Sequence, residues 1–175
     1  MIQPVNIYFQ TKILEYLNNI IKEAQSELRQ QGHRVTGETE KSFKADVKVL
    51  GAYHFEGVIL VKTSAIILNY GVSASKVPYS GGRGRGGTSK YIQALLNWAA
   101  LVKPDLNDKE RKSFVFAVAK KAKQEGHPTK GSYKYSSNGR RKDWIEYSIE
   151  INKDTIQKII DPSKVLNLVY QFRRA

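Results

Sequence analysis

The sequence predicts an α+β fold in which a long N-terminal helix packs on a small antiparallel sheet and is followed by two to four helices and long basic loops. Three observations predict it. Apolar residues recur at spacings of three and four from Ile13 to Leu28, alternate with polar ones from Phe43 to Val49, and return to helical spacing after Ser89. At 175 residues and 41% hydrophobic content the chain has material for a sizeable core. A single domain over 1–175 is expected, with a core at about 6–126, basic loops at 76–90 and 127–142, and a helical extension at 143–175.

The first helix is carried by Ile13, Leu14, Leu17, Ile20, Ile21, Ala24 and Leu28, with Glu15, Lys22, Glu23 and Glu27 off that stripe and Gly32 as its stop. Phe43, Ala45, Val47 and Val49 then make one strand, "GAYHFEG" a turn, and the β-branched "VILVKT" a second, antiparallel strand. The short run "AIILNYG" fits a third strand or a short helix closed by Gly71.

Further on, "SKYIQALLNWAALVKP" reads as a helix capped by Thr88 or Ser89, with Ile92, Leu95, Leu96 and Ala99 inward and Lys103-Pro104 at its end. Asn107 with Glu110 three residues on predicts a capping box, and Gly126 with Pro128 a stop, for a helix of about 18 residues. On it Phe114, Val115, Val118, Ala119 and Ala122 share an arc, which leaves Lys120, Lys121 and Lys123 exposed. From 145 to 151 alternating Ile and Tyr argue strand, while Asp143 and Glu146 argue a capped helix, and helix is the stronger expectation. Asp161 and Pro162 predict a last helix over about 162–172.

The formal charge is +13, and its distribution is uneven. Residues 76–142 carry 16 basic and 4 acidic side chains, a net +12, whereas 1–75 carry 8 and 7, and 143–175 carry 5 of each. So many cations in one segment point to an anionic partner. The candidate contact residues are Tyr79, Arg83, Arg85 and Lys90 in the first loop and Lys130, Tyr133, Lys134, Tyr135, Arg140, Arg141 and Lys142 in the second. Aromatic and Arg side chains there would be interface anchors.

Several chemistries fail on residue order. In "YSGGRGRGGTSK", Lys90 follows Thr88 and Ser89 instead of preceding them, so a P-loop is excluded, and the evenly spaced Gly82, Gly84 and Gly86 do not fit the dinucleotide pattern. The same stretch resembles arginine-glycine segments that contact single strands, and its glycine content predicts mobility. The absence of Cys removes thiolate sites and disulfides. His33, His54 and His127 stand apart in sequence, and the carboxylates near Asp105, Asp108, Glu38 and Glu40 fit helix starts and turns. No enzyme, metal or cofactor is expected. The N-terminus lacks a leader pattern and no run of about 18 apolar residues occurs, so a soluble protein is expected, without a membrane partner.

The stretch "VTGETEKSF" places Thr36, Gly37 and Ser42 in a turn after the first helix, with Thr39 between them. "SAIILNYG" then holds Ala65 and Gly71, and a helix containing Trp98 precedes "FAVAKKAKQEGHP". In this order the elements resemble the neck and tail-completion proteins of tailed bacteriophages, the small head-to-tail joining family. That family's turn is Thr-Gly-x-Leu-x-x-Ser, so Thr39 stands where Leu is usual. In its Tyr-Ala-x-x-x-Glu-x-Gly motif, Ser64 and Asn69 occupy the Tyr and Glu places here. The resemblance covers residues 10 to about 160. It implies a structural virion protein, made in the host cytoplasm and placed at the neck, forming a six- or twelvefold ring with portal or adjacent ring proteins around the DNA channel. Non-specific DNA contact would follow from the basic loops. A basic nucleic-acid-binding module acting outside a particle is the alternative reading.

Overall fold

The computed structural model describes residues 3–33, 36–51, 54–79, 89–130 and 133–159. Its elements are α1 (Gln3–Gln30), a single turn α2 (Glu38–Lys41), β1 (Lys44–Gly51), β2 (His54–Leu60), α3 (Thr63–Tyr70), a 3-10 turn (Ala74–Lys76), α4 (Lys90–Val102), α5 (Asp108–Glu125) and α6 (Trp144–Ile159). The fold is α+β, with a long first helix, a two-stranded antiparallel sheet and further helices. The helix expected at 162–172 lies outside the described residues, as does 80–88 of the glycine-rich loop.

The chain forms two compact units that interleave in sequence. Among the described residues, one comprises 3–30, 37–51, 54–65 and 143–159, and the other 31–33, 36, 66–79, 89–130 and 133–142. In the first, α1 packs on the hairpin and on α6. Leu17, Ile20, Ile21, Ala24 and Leu28 are buried as their spacing predicts, but Leu14 is turned outward and Tyr16 takes a buried place instead. Tyr16, Leu17 and Ile20 meet Ala45, Val47 and Ile59 of the sheet and Ile156 and Ile159 of α6. Ala24 and Leu28 meet Ala65 and Trp144, with Phe43 edge-on to Trp144 at a centroid distance of 5.5 Å. Segment 143–159, expected as an extension, is therefore part of this core.

β1 and β2 pair in register from Lys44↔Leu60 to Val49↔Phe55, with an irregularity between Val49 and Gly51. The turn is shorter than "GAYHFEG" predicts, because His54, Phe55, Glu56 and Gly57 already belong to β2. Gly57 lies where a Cβ would come within 3.2 Å of both Ile13 and Leu17, so its missing side chain is what lets α1 approach the sheet.

Residues 145–151 lie in α6, the stronger of the two expectations, and their alternation has another cause. Ile149 and Ile151 are surface residues of α6, 46% and 49% exposed, whereas Trp144 and Ser148, one helical turn apart, face the core. The run at 63–70 resolves as helix, and Gly71 follows it with φ 73° while its N–H donates to Ile67 O at 2.7 Å, a left-handed C-terminal cap.

In the second unit α4 packs on α5 through Ile92, Ala99, Val115 and Ala119, surrounded by Tyr79, Tyr91, Leu95, Leu96, Trp98 and Phe114. Trp98 stacks on Phe114 at 5.8 Å. Ser89 caps α4 by accepting from Ile92 N–H. The capping box of α5 is complete. Asn107 Oδ1 accepts from Lys109 and Glu110 N–H at 3.0 Å each, and Glu110 Oε2 accepts from Asn107 N–H at 3.0 Å. Replacing Asn107 by Ala is expected to lower stability by about 1 kcal/mol in urea denaturation, because two end amides lose their acceptor.

One lysine departs from expectation. Lys123 is half-buried, and its Nζ donates to Ser75 O at 3.3 Å and Val77 O at 3.1 Å, which fixes the 3-10 turn against α5. Its stem reaches along the helix while the ammonium finds carbonyls instead of water.

Candidate anion-binding surface

The turn that follows Thr36 has a physical basis in Gly37 to Ser42 of the first unit. Gly37 adopts φ 74°, ψ 2°, a left-handed conformation that glycine takes without the Cβ penalty, and its carbonyl accepts from Lys41 N–H at 3.1 Å. Ser42 Oγ donates to Thr39 O at 2.7 Å and accepts from Lys62 N–H at 3.2 Å, joining the turn to the chain leaving β2. Thr39 contributes its carbonyl, which any residue at that place supplies. Thr36 is exposed. Lys62 Nζ lies 2.8 Å from Glu38 Oε2 and pulls that carboxyl below its ordinary range. Asn69, at the place where the resemblance implies Glu, is fully buried. A neutral amide avoids the cost of burying a carboxylate there.

Among the loop residues, Tyr79 belongs to the packing of the second unit, 6.4 Å from the Phe116 ring, so its ring is structural as well as peripheral. Lys90 is exposed at the first residue of α4, and Arg83 and Arg85 lie outside the described residues. Lys130 is exposed, with its backbone N–H donating to Glu125 Oε2 at 3.3 Å.

Residues 133–142 are held in place rather than loose. Gln31 Nε2 donates to Lys142 O at 3.1 Å, His33 Nε2 lies 2.9 Å from Arg141 O, and Arg140 N–H donates to Asn138 Oδ1 at 3.0 Å. Ser136 is buried, and Gly32 approaches the Tyr135 carbonyl so closely that a Cβ there would collide with it. Gly71 is similarly covered by the end of the Lys142 side chain, 2.8 Å from where a Cβ would stand. Tyr133 remains 81% exposed, with its ring edge 3.2 Å from the place of a Gly139 Cβ.

Three cations converge on one aromatic ring. Lys121 Nζ of α5, Lys134 Nζ and Arg141 Cζ stand over the Tyr135 ring at 5.4, 5.5 and 5.8 Å from its centroid. Arg141 Nη1 also donates to Tyr135 O at 3.4 Å, and its buried Nε has no partner among the described residues. Lys121 has a distant acidic neighbour, Glu125 Oε1 at 3.9 Å. Each exposed cation–π contact contributes about 0.5–1 kcal/mol. Three like charges gathered on one ring also repel one another, and an anion placed among them would add attraction that offsets this repulsion.

Behind this surface lies a polar group that sequence spacing conceals. Burial lowers the His33 imidazole from its ordinary 6.5 to about 4; the bond to the Arg141 carbonyl opposes this, and the charges of Arg141 and His127 reinforce it. His127 is lowered as well, first by burial and then by Arg141 and Lys142. The two histidines, expected to be unrelated, thus share one cationic environment. A neutral His33 donates Nε2–H to that carbonyl. Sequence reasoning missed this group because 31–33, 127 and 141–142 share no local pattern.

Among the described residues no group of three His, Asp or Glu side chains is placed to hold a metal, and no helix is long and apolar enough to cross a membrane. What the surface offers is fixed positive charge beside exposed aromatic rings. No family model, curated protein or solved structure matches this chain.

Proposed function

We propose that this chain is a non-enzymatic structural subunit of a tailed-bacteriophage neck, assembling with copies of itself into a ring that joins the portal or head to the tail around the DNA channel. The observation that carries the reading is the Thr36–Ser42 turn. The left-handed Gly37 and the doubly bonded Ser42 hydroxyl give physical roles to two of the three residues on which the resemblance to the head-to-tail joining family rests. The order of long helix, turn, hairpin and further helices is also that of the resemblance. Its site of action is the virion neck, after synthesis in the host cytoplasm, and its partners are adjacent ring proteins and the DNA backbone, without a membrane.

The net +12 of residues 76–142 fits a channel-side surface that meets phosphates without reading bases. The Tyr135 cluster favours a second reading as well, a nucleic-acid-binding module acting outside a particle.

A phage carrying Arg83→Ala, Arg85→Ala and Arg140→Ala together is expected to make normal heads and tails but severalfold fewer joined particles, counted by electron microscopy. Arg141 is left intact because its guanidinium is packed against Tyr135. Unchanged joining would remove the basic loops from the mechanism, and a chain absent from purified particles would favour the free binder.

A further inference from the structure

We propose that Lys121, Lys134 and Arg141, arrayed on the Tyr135 ring, form a site for the phosphates of a nucleic-acid backbone. The choice of nucleic acid rests on the function proposed above, whereas the site itself rests on its own geometry. A ring has two faces, so at least two of the three cations stand on the same side of Tyr135. Lys121 is presented by α5, and Lys134 and Arg141 by the segment tied down through Gln31, His33 and Asn138. The site is therefore preorganised by two separate parts of the second unit, and binding need not order long side chains from scratch.

The acidic neighbour of Lys121 is weakly placed, since Glu125 Oε1 stays 3.9 Å from Lys121 Nζ and its Oε2 accepts the Lys130 N–H. Lys121, Lys134 and Tyr135 are exposed residues, so phosphates can approach the cluster from solvent. Tyr133, two residues from Tyr135 and 81% exposed, adds a ring on which an unpaired base can stack. Duplex DNA carries a charge roughly every 1.7 Å of its axis, a density that suits closely grouped cations better than the scattered carboxylates of a protein surface.

The test uses the full chain, a short fluorescent DNA duplex, and affinities measured across a salt series. Lys121→Gln with Lys134→Gln is expected to reduce the slope of log K against log salt by about 1.8, two phosphate contacts at about 0.9 each. Lys109→Gln with Lys112→Gln removes equal charge from the exposed start of α5, roughly 13 Å or more along its axis from Lys121, and is expected to change the slope by less than half as much. Tyr135→Leu keeps every charge and is expected to weaken binding while thermal unfolding stays cooperative.

Equal slope changes for both lysine pairs would show diffuse attraction and overturn the site, as would failure of the wild-type chain to bind the duplex at 50 mM salt. Poly-glutamate bound more tightly than DNA, with the same dependence on Lys121 and Lys134, would overturn the nucleic-acid assignment in favour of an acidic protein. A chain that binds DNA through the cluster but never enters particles would defeat the neck reading alone. A ring whose assembly and DNA binding ignore the cluster would defeat this inference alone.

Discussion

Replacing Gly126 by Ala is expected to lower stability by about 3 kcal/mol or more, which places it among the most damaging single-atom-group additions available in this fold. Gly126 ends α5 at φ 88°, ψ −176°, a region that residues with a Cβ rarely enter at a cost of about 1–3 kcal/mol. An added Cβ would also stand 2.6 Å from Val72 O. That oxygen is not free to move, because it accepts His127 N–H at 2.8 Å while Val72 N–H donates to His127 O at 2.6 Å. Strain and collision therefore act on the same short bridge. Gly51→Ala is the control, since a Cβ there meets only His54 Cβ at an ordinary 3.7 Å. Denaturation midpoints for Gly126→Ala within error of Gly51→Ala would contradict the close approach.

Stability is expected to fall steeply between about pH 6.5 and pH 4 because of His33. The folded imidazole titrates near 4 and the unfolded one near 6.5, so between these values the unfolded chain holds the extra proton. Stability is then complete above the unfolded value and declines as pH falls toward the folded one, by at most about 2.5 kcal/mol between pH 7.5 and 4.5. Burial is the main cause, with the charges of Arg141 and His127 opposing protonation further. His127 is shifted in the same direction and steepens the loss. His33→Gln keeps a donor for the Arg141 carbonyl and cannot protonate, so urea unfolding of that variant should lose less stability over the same interval. A pH profile identical to wild type would mean that His33 is solvated.

The parts of this fold that are legible in the sequence are those whose causes are local. The α5 boundaries follow from Asn107, Glu110 and Gly126, whose hydrogen bonds and backbone angle involve near neighbours only. The hairpin is legible because Ala45 and Val47 alternate against an apolar helix. α6 is obscured because Ile149 and Ile151 put apolar residues on its outer face, imitating a strand. The site divides the same way. Charge density singles out 76–142, but the arrangement of Lys121 and Arg141 on Tyr135 depends on a helix and a distant segment meeting. Nor does composition reveal that Gln31 and His33 tie down residues 141–142 from more than a hundred positions away. Lys123 shows the limit of periodicity even within a well-defined helix, since carbonyls of another segment draw its ammonium inward.

For the proposed role as a ring subunit that contacts DNA through a basic surface, cryo-electron microscopy of virions is the most direct test. A closed ring of copies at the junction of head and tail is expected, with Lys121, Lys134 and Arg141 near the path of the DNA. Density for the chain away from the tail axis, or its absence from the particle, would contradict it.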